Sequence, residues 1–376
     1  MSLARRLDAL RSPRFYVYLG LALVLAWIAS TVIFDLGHGP VGDQAPEFQG
    51  IHQWINSEPL SLEELRGNVV LVDFWTYTCV NCIRTFPYLK DWQRKYSGKG
   101  LVIVGVHAPE FEFEKITENV SARAREFGLE YPIAQDNDFA TWRAYDNRFW
   151  PAKYLIDKEG VVRYTHFGEG QYLETEDKIR DLLMAAGAQL DGISPDIADA
   201  GPVQTGRPGA TFQSRITREL YGGYQRNLSA GGNYIAHEDY YHGPGQVVDY
   251  QDEGSHQNNL VYLQGPWFNG PEAIRHARST QDNQDYIGIR FSAASVNAVI
   301  NRQGDQPFLV EVTLGGRPIT QEQAGSDIEF AGGRSFFRVV EGRLYSIVDQ
   351  PVFSSHELRL SSNSGDFALF AFTFGS

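Results

Sequence analysis

"DFWTYTCVNCIRTFPYL", residues 73–89, contains the only two cysteines of the chain, Cys79 and Cys82, with Val80 and Asn81 between them. An apolar run, "NVVLVDFW", precedes the pair, and after it Ile83, Phe86, Leu89 and Trp92 recur at helical spacing. The stretch therefore predicts a buried strand, a short turn and a helix beginning at the cysteines. A helix N-terminus offers unpaired N–H groups and a partial positive charge, which favour the thiolate at Cys79. The thiolate is the nucleophilic form of cysteine. Cys82, one turn deeper, can close a disulfide on Cys79 and release a mixed-disulfide partner.

Other readings of two cysteines fit less well. A structural disulfide across so short a loop removes little chain entropy from the unfolded state. Zinc needs further ligands, and no other cysteine is present. Two inert reduced thiols sit badly with an oxidising compartment, and such a compartment follows from the N-terminus. Arg5, Arg6, Arg11 and Arg14 precede Phe15–Phe34, twenty residues without a charge. That length spans the roughly 30 Å hydrocarbon core as a helix. The positive-inside rule then keeps the basic tip in the cytoplasm and exports everything after Asp35. A cleaved signal peptide is the alternative, with Ala26, Ala29 and Ser30 as small residues near a cut, although its apolar core is normally only about 7–15 residues. The basic tip holds four Arg against Asp8, leaving 29 basic and 45 acidic side chains of the chain's 33 and 46, a net of −16. Such a surface repels phosphate backbones, so nucleic acid is not an expected partner.

A chain of 376 residues fits two domains. After the N-terminal tip and anchor (1–36), residues 37–187 alternate short apolar runs with helical patterns. "GLVIVGVHA" reads as a second buried strand, "FEKITENVSARAREFG" as a helix closed by Gly128, "AKYLIDKEGVVRYTHFGEG" as a hairpin turning at Lys158–Gly160, and "TEDKIRDLLMAAG" as a last helix. A sheet covered by helices is the expected architecture. Residues 188–210, rich in Gly, Pro, Asp and Ala, form a linker. Residues 211–376 carry "YIGIRFSA", "SVNAVINR", "PFLVEVTLGG", "RLYSIVD", "HELRLSS" and "FALFAFTFG", short aromatic and β-branched runs that predict an all-β sandwich of jelly-roll type.

"LVDFWTYTCVNC", "GVHAPEFEFEK", "PIAQDNDFATWRAYDNRFWPAKYLID" and "YTHFGEGQYLETED" resemble the thioredoxin-like part of the DipZ family, itself similar to TlpA- and ResA-type membrane-anchored thioredoxins. The resemblance covers about Gly42 to Gly187. The remainder, from about Thr211, is similar, more weakly and through "ELYGGYQR" and "FAFTFG", to the carbohydrate-binding-module-like sandwich that follows in DipZ proteins. The N-terminus departs from the pattern: a single span stands where some DipZ proteins carry a CcdA-like multi-helix electron conduit.

The resemblance implies an α/β thioredoxin fold and a membrane-anchored, extracytoplasmic thiol-disulfide oxidoreductase. It sits in the inner (cytoplasmic) membrane with its N-terminus inside and works without a cofactor. Cys79 is then the attacking thiol and Cys82 the resolving one, together a redox-active disulfide. Pro151 matches a cis-proline facing the pair, with Trp150 before it on the substrate face. Asp73 matches a buried acid that takes the Cys82 proton. Trp75 packs beside the pair, and Gly168 with Glu169 forms a third substrate loop, where Glu169 is either a specificity charge or a solvated turn residue. Asp73 has a plainer reading as a paired strand-end carboxylate. Protein disulfides are the implied substrates, and a separate CcdA/DsbD-like membrane protein the implied electron donor.

Two further activities remain open at this stage. A peroxiredoxin-like thiol peroxidase would use Thr76 three residues before Cys79, but Val72 stands where that family needs proline. A glycan- or partner-binding protein would use the thioredoxin fold as a scaffold. For it, Trp267, Phe268, Tyr221, Tyr224, Tyr240 and Tyr241 are candidates for a sugar platform, although large residues in a sandwich are more often core or turn packing. His237, Asp239, His242, Asp249 and His256 lie in a Gly-rich stretch, but their spacing matches no metal-ligand pattern, so no metal is expected.

Overall fold

The computed structural model describes residues 41–195, 216–227 and 233–375. The expected anchor at residues 15–34 and most of the 188–210 linker lie outside the described residues. Among the described residues no helix is long and apolar enough to cross a membrane.

Strand β2 (Val69–Trp75) is buried along its whole length, as a central strand covered on both faces must be. Its alternation sorts residues into two layers. Val69, Leu71 and Trp75 face one core, together with Cys82, Phe86, Leu89 and Trp92 of helix α1 (Val80–Tyr96). Val70, Val72 and Phe74 face a second core with Trp142, Tyr145 and Tyr154. Asp73 has the parity of the first set, so the period of two places this carboxylate on the α1 side.

Parallel to β2 runs β3 (Leu101–His107), followed by β4 (Ile133–Gln135), with β1 (Gln53–Ile55) closing that edge in antiparallel sense. On the other side lies the hairpin of β5 (Ala152–Ile156), antiparallel to β2, and β6 (Val162–Phe167), whose turn is closed by Gly160 N–H on Asp157 O and so begins one residue before the expected Lys158–Gly160. The order is β1-β4-β3-β2-β5-β6. Helices α2 (Thr117–Phe127), α3 (Ala140–Ala144) and α4 (Tyr172–Ala185) complete a thioredoxin-like α/β unit.

One boundary differs from the sequence expectation. The helix placed over residues 113–127 begins only at Thr117, because Glu112–Lys115 forms a separate 3-10 turn that buries Phe113 and Glu114. Phe113 packs against Phe370 and Glu114 accepts the Thr78 hydroxyl.

The second unit is β-rich. Runs read as separate strands merge: Tyr286–Arg302 and Arg343–Ser361 are continuous strands paired with each other, with register shifts at Ala293/Ser295 and Val296/Asn297. Such bulges absorb the polar residues that look like strand breaks. Trp267 and Tyr240, candidates for an exposed sugar platform, are fully enclosed in this unit's core. Tyr221, Tyr224 and Tyr241 are partly buried against the same core. The candidate metal residues do not converge either. The His256 ring Nε2 lies 2.9 Å from the Asp252 carboxylate, and His237 Nε2 accepts the Leu263 N–H at 2.9 Å. Among the described residues no group of three or more His, Cys, Asp or Glu is placed so that it could hold a metal ion.

The two units share a core. In strand Phe367–Gly375, Phe367, Leu369 and Phe372 face the β-rich core, whereas Ala368, Phe370 and Ala371 pack with the α1-side core of the first unit. A register shift opposite Val299–Ile300 leaves Phe370 at the bulge. Its ring meets Phe111 and Phe113 edge-on at 5.1 and 4.9 Å.

Candidate functional site

Cys79 is the N-cap residue of α1: its φ and ψ are −78° and 110°, and its Sγ accepts the Cys82 N–H at 3.3 Å. No acidic side chain occupies the first turn. The end of the helix therefore directs the Cys82 N–H at the Cys79 sulfur with no carboxylate beside it. Cys79 is half-buried and Cys82 fully buried, and both are free thiols. Burial, reinforced by the contact with Cys79, pushes the Cys82 thiol up. The two thiols are thus inequivalent, one reachable and one held protonated until a base removes its proton.

Asp73 lies on the same side of β2 as Cys82 and raises its thiol through its charge. It is completely enclosed, and burial pushes its carboxyl up to about 6, with Lys153 working against the rise. Lys153 Nζ lies 3.4 Å from Asp73 Oδ1, both side chains being shut away from solvent. The two residues oppose each other in the β2/β5 register. At that separation the contact is an ion pair rather than a formed hydrogen bond, and both carboxylate oxygens are without a hydrogen-bond partner. The negative charge of Asp73 also contributes to raising Cys82 and the Tyr131 phenol, so the three groups sense one another. Lys153 was absent from the sequence candidates. Its signal was a lysine inside an otherwise apolar strand, "PAKYLI".

The expected substrate-facing residues are tied to one another and to the cysteine helix. The Trp150–Pro151 peptide is cis. The Trp150 indole N–H donates to the Ala108 carbonyl at 3.0 Å, and Pro151 O accepts the Gly168 N–H at 2.8 Å. Gly168 has φ +86°, a backbone region that favours glycine. Glu169 makes a 3.5 Å ion pair with Arg84 of α1, which ties the third loop to the cysteine helix. Trp75 is fully buried between Phe86 and His107, at ring separations of 5.3 and 4.9 Å, so it supports the site from below rather than contacting a substrate. Burial holds the His107 imidazole down at about 3, hence neutral. The Thr76 hydroxyl is also buried, 3.5 Å from His107 Nε2.

A second buried acid escaped the sequence reading because "PEFEFEK" looks like a helix start. Glu114 Oε1 accepts the Thr78 hydroxyl at 2.6 Å and the Thr78 N–H at 3.3 Å. Its Oε2 accepts the N–H groups of Glu110 and Phe111. Burial, with the nearby Glu110 charge, pushes Glu114 up to about 7. The residue preceding Cys79 is thereby fixed by a side chain from the loop after β3.

Comparison with known proteins gives matches in both units. The AhpC/TSA family matches residues 41–165, and the family described as thioredoxin like C-terminal domain matches residues 217–375. Protein DipZ of Mycobacterium bovis is 37% identical over 285 residues, 75% of this chain and 38% of that protein, as is its Mycobacterium tuberculosis counterpart. The chain thus spans well under half the length of these relatives. The thiol-disulfide oxidoreductase YkuV of Bacillus subtilis is 30% identical over 139 residues, 37% of this chain and 93% of YkuV. Among solved structures, the thioredoxin-like superfamily protein SPOA0173 aligns at TM-score 0.35 and 29% identity, covering 37% of this chain and 96% of its own.

Proposed function

From the premise that this chain belongs to the thioredoxin-like family as a DipZ homologue, we propose that it reduces protein disulfides through Cys79 and Cys82. The observation that carries the reading is the asymmetry of the dithiol: an approachable sulfur at a helix N-cap and an enclosed thiol beside the Asp73–Lys153 pair. The Cys79 thiolate attacks one sulfur of a substrate disulfide and forms a mixed disulfide, while the other substrate sulfur leaves as a thiolate. Asp73 removes the Cys82 proton. The Cys82 thiolate then attacks Cys79 Sγ, closing the Cys79–Cys82 disulfide and releasing the second substrate thiol. Two electrons pass to the substrate, and a CcdA/DsbD-like membrane donor restores the dithiol.

The reductive direction is favoured by Val80 and Asn81, which add no positive charge to stabilise the thiolate as strongly as an oxidant requires. The apolar 15–34 run supports a single-pass anchor in the cytoplasmic membrane, with both units outside. The β-rich unit is proposed to be a carbohydrate-binding-module-like sandwich that engages a glycan or protein partner. A peroxidase is less well supported, because Thr76 is turned to His107 and Val72 replaces the proline.

The test is trapping. In Cys82→Ser a mixed disulfide with substrate accumulates on a non-reducing gel. In Cys79→Ser none forms and turnover is lost. Undiminished disulfide reduction by Cys79→Ser would refute the proposal.

A further inference from the structure

The loop that fixes Thr78 does not end in the first unit. Glu110, whose N–H is held by Glu114, is itself enclosed, and its carboxylate is gripped from the β-rich unit. Arg226 ion-pairs with Glu110 Oε1 and also donates to the Glu110 carbonyl at 3.0 Å. The Tyr221 hydroxyl donates to the same Oε1 at 2.9 Å. The Arg226 guanidinium lies over the rings of Tyr221 and Phe111 at 4.9 and 5.5 Å, so it is stacked as well as paired. Contacts therefore run without a gap from Arg226 and Tyr221 through Glu110, Glu114 and Thr78 to Cys79.

We infer that Arg226, with Tyr221, is a positioning residue for the redox step: the β-rich unit holds the Glu110–Glu114 turn, and through it the N-cap conformation of Cys79. The inference rests on the dithiol reading above and adds that the reactivity of Cys79 is set partly from the other unit. Its physical basis is the short reach of an N-cap bond. The Cys79 sulfur takes the Cys82 N–H only while the preceding peptide is fixed, and Glu114 fixes that peptide by accepting both Thr78 donors. Without Arg226, Glu110 loses its charged partner inside a buried site, the turn relaxes, and the sulfur loses part of its donor.

The experiment uses the full chain, solubilised in mild detergent, in wild-type, Arg226→Ala, Arg226→Lys, Glu110→Gln and Arg123→Ala forms. Two quantities are read: the rate of Cys79 alkylation by iodoacetamide at neutral pH, and the equilibrium constant of the dithiol with glutathione. Arg226→Ala is expected to slow alkylation about threefold to tenfold. It should also raise the oxidised fraction at a fixed glutathione ratio, since the reduced form loses thiolate stabilisation. Arg226→Lys restores part of both, and Glu110→Gln shifts both less in the same direction, which keeps the test decisive should Arg226→Ala fail to fold. Arg123, paired with Glu341 at 2.6 Å across the same interface but outside the chain of contacts, reports on docking alone. Its alanine variant should match wild type. Arg226→Ala and Glu110→Gln at wild-type values, or Arg123→Ala slowed as much as Arg226→Ala, would overturn the positioning role while leaving the dithiol reading intact. A wild type that forms no Cys79–Cys82 disulfide would overturn both.

Discussion

Replacing Lys153 with methionine keeps a long side chain in the β5 strand and removes the charge opposite Asp73. At 3.4 Å, and with an effective dielectric of about 20, the attraction between the two is worth roughly 5 kcal/mol, the equivalent of some three to four pKa units. Relaxation and water entry reduce this, and we take about two units as the expected upward move of Asp73. Its wild-type midpoint is about 6. At pH 7 most wild-type Asp73 is therefore ionised and able to take the Cys82 proton. In Lys153→Met the midpoint lies near 8 or above, only about a tenth is ionised at pH 7, and resolution slows about tenfold. The assay is release of a chromogenic thiol from a mixed disulfide preformed on Cys79, followed across pH. This isolates the step that needs Cys82. Wild-type rates should climb through about pH 6. The variant's rise should be displaced to higher pH, with the same limiting rate. A variant profile superimposed on wild type would refute the assignment. A midpoint near 7 in both proteins would instead point to Glu114, whose carboxyl burial pushes up to about 7.

Two further outcomes follow from buried groups. Glu114 has its folded value raised from 4.5 to about 7, so its contribution to stability is fully present below about pH 4.5 and is lost as pH rises through 7. The loss approaches roughly 3 kcal/mol by pH 8, and Glu114→Gln should flatten the decline in melting temperature between pH 5 and 8. A slope equal to wild type would show that Glu114 is not the group responsible. Phe370→Ala empties the aromatic contact between the units and should cost about 3–5 kcal/mol in denaturant titration, exposing Phe111 and Phe113. An unchanged midpoint would mean that the shared core carries no stability.

The parts of the site legible in the sequence are those encoded locally. A strand, two cysteines and a helical apolar period within one short segment were enough to place Cys79 at the helix start, whereas Asp73 was singled out only through the family resemblance. The turn at Asp157–Gly160 carries its own signal. Lys153 was not legible as a partner of Asp73, because the pairing depends on which strand lies beside β2, and β5 is distant in sequence. Glu114 was hidden for a similar reason. Its acidic, aromatic surroundings read as the first turn of a helix, whereas both Phe113 and Glu114 are drawn inward by groups supplied from elsewhere, Phe370 and Thr78. In the β-rich unit, alternation identified strand material but not its continuity, since bulges let one strand pass through segments that locally look like turns. Residue type did not decide exposure at Trp267 or Tyr240, where the neighbouring layers enclose both rings.

The strand Phe367–Gly375 supplies side chains to two cores at once, and this has a bearing on biogenesis. Polypeptide emerges in order, so the redox unit's own residues are all available long before Phe370 is. At about 5–20 residues per second, the interval between synthesis of Phe113 and of Phe370 is on the order of ten to fifty seconds. Throughout that window Phe111 and Phe113 lack the edge-on contact of the Phe370 ring. A nascent chain can therefore already carry its cysteines on a partly built scaffold while the surface beside them is still sticky. The shared core of this protein is then complete only when the last strand arrives.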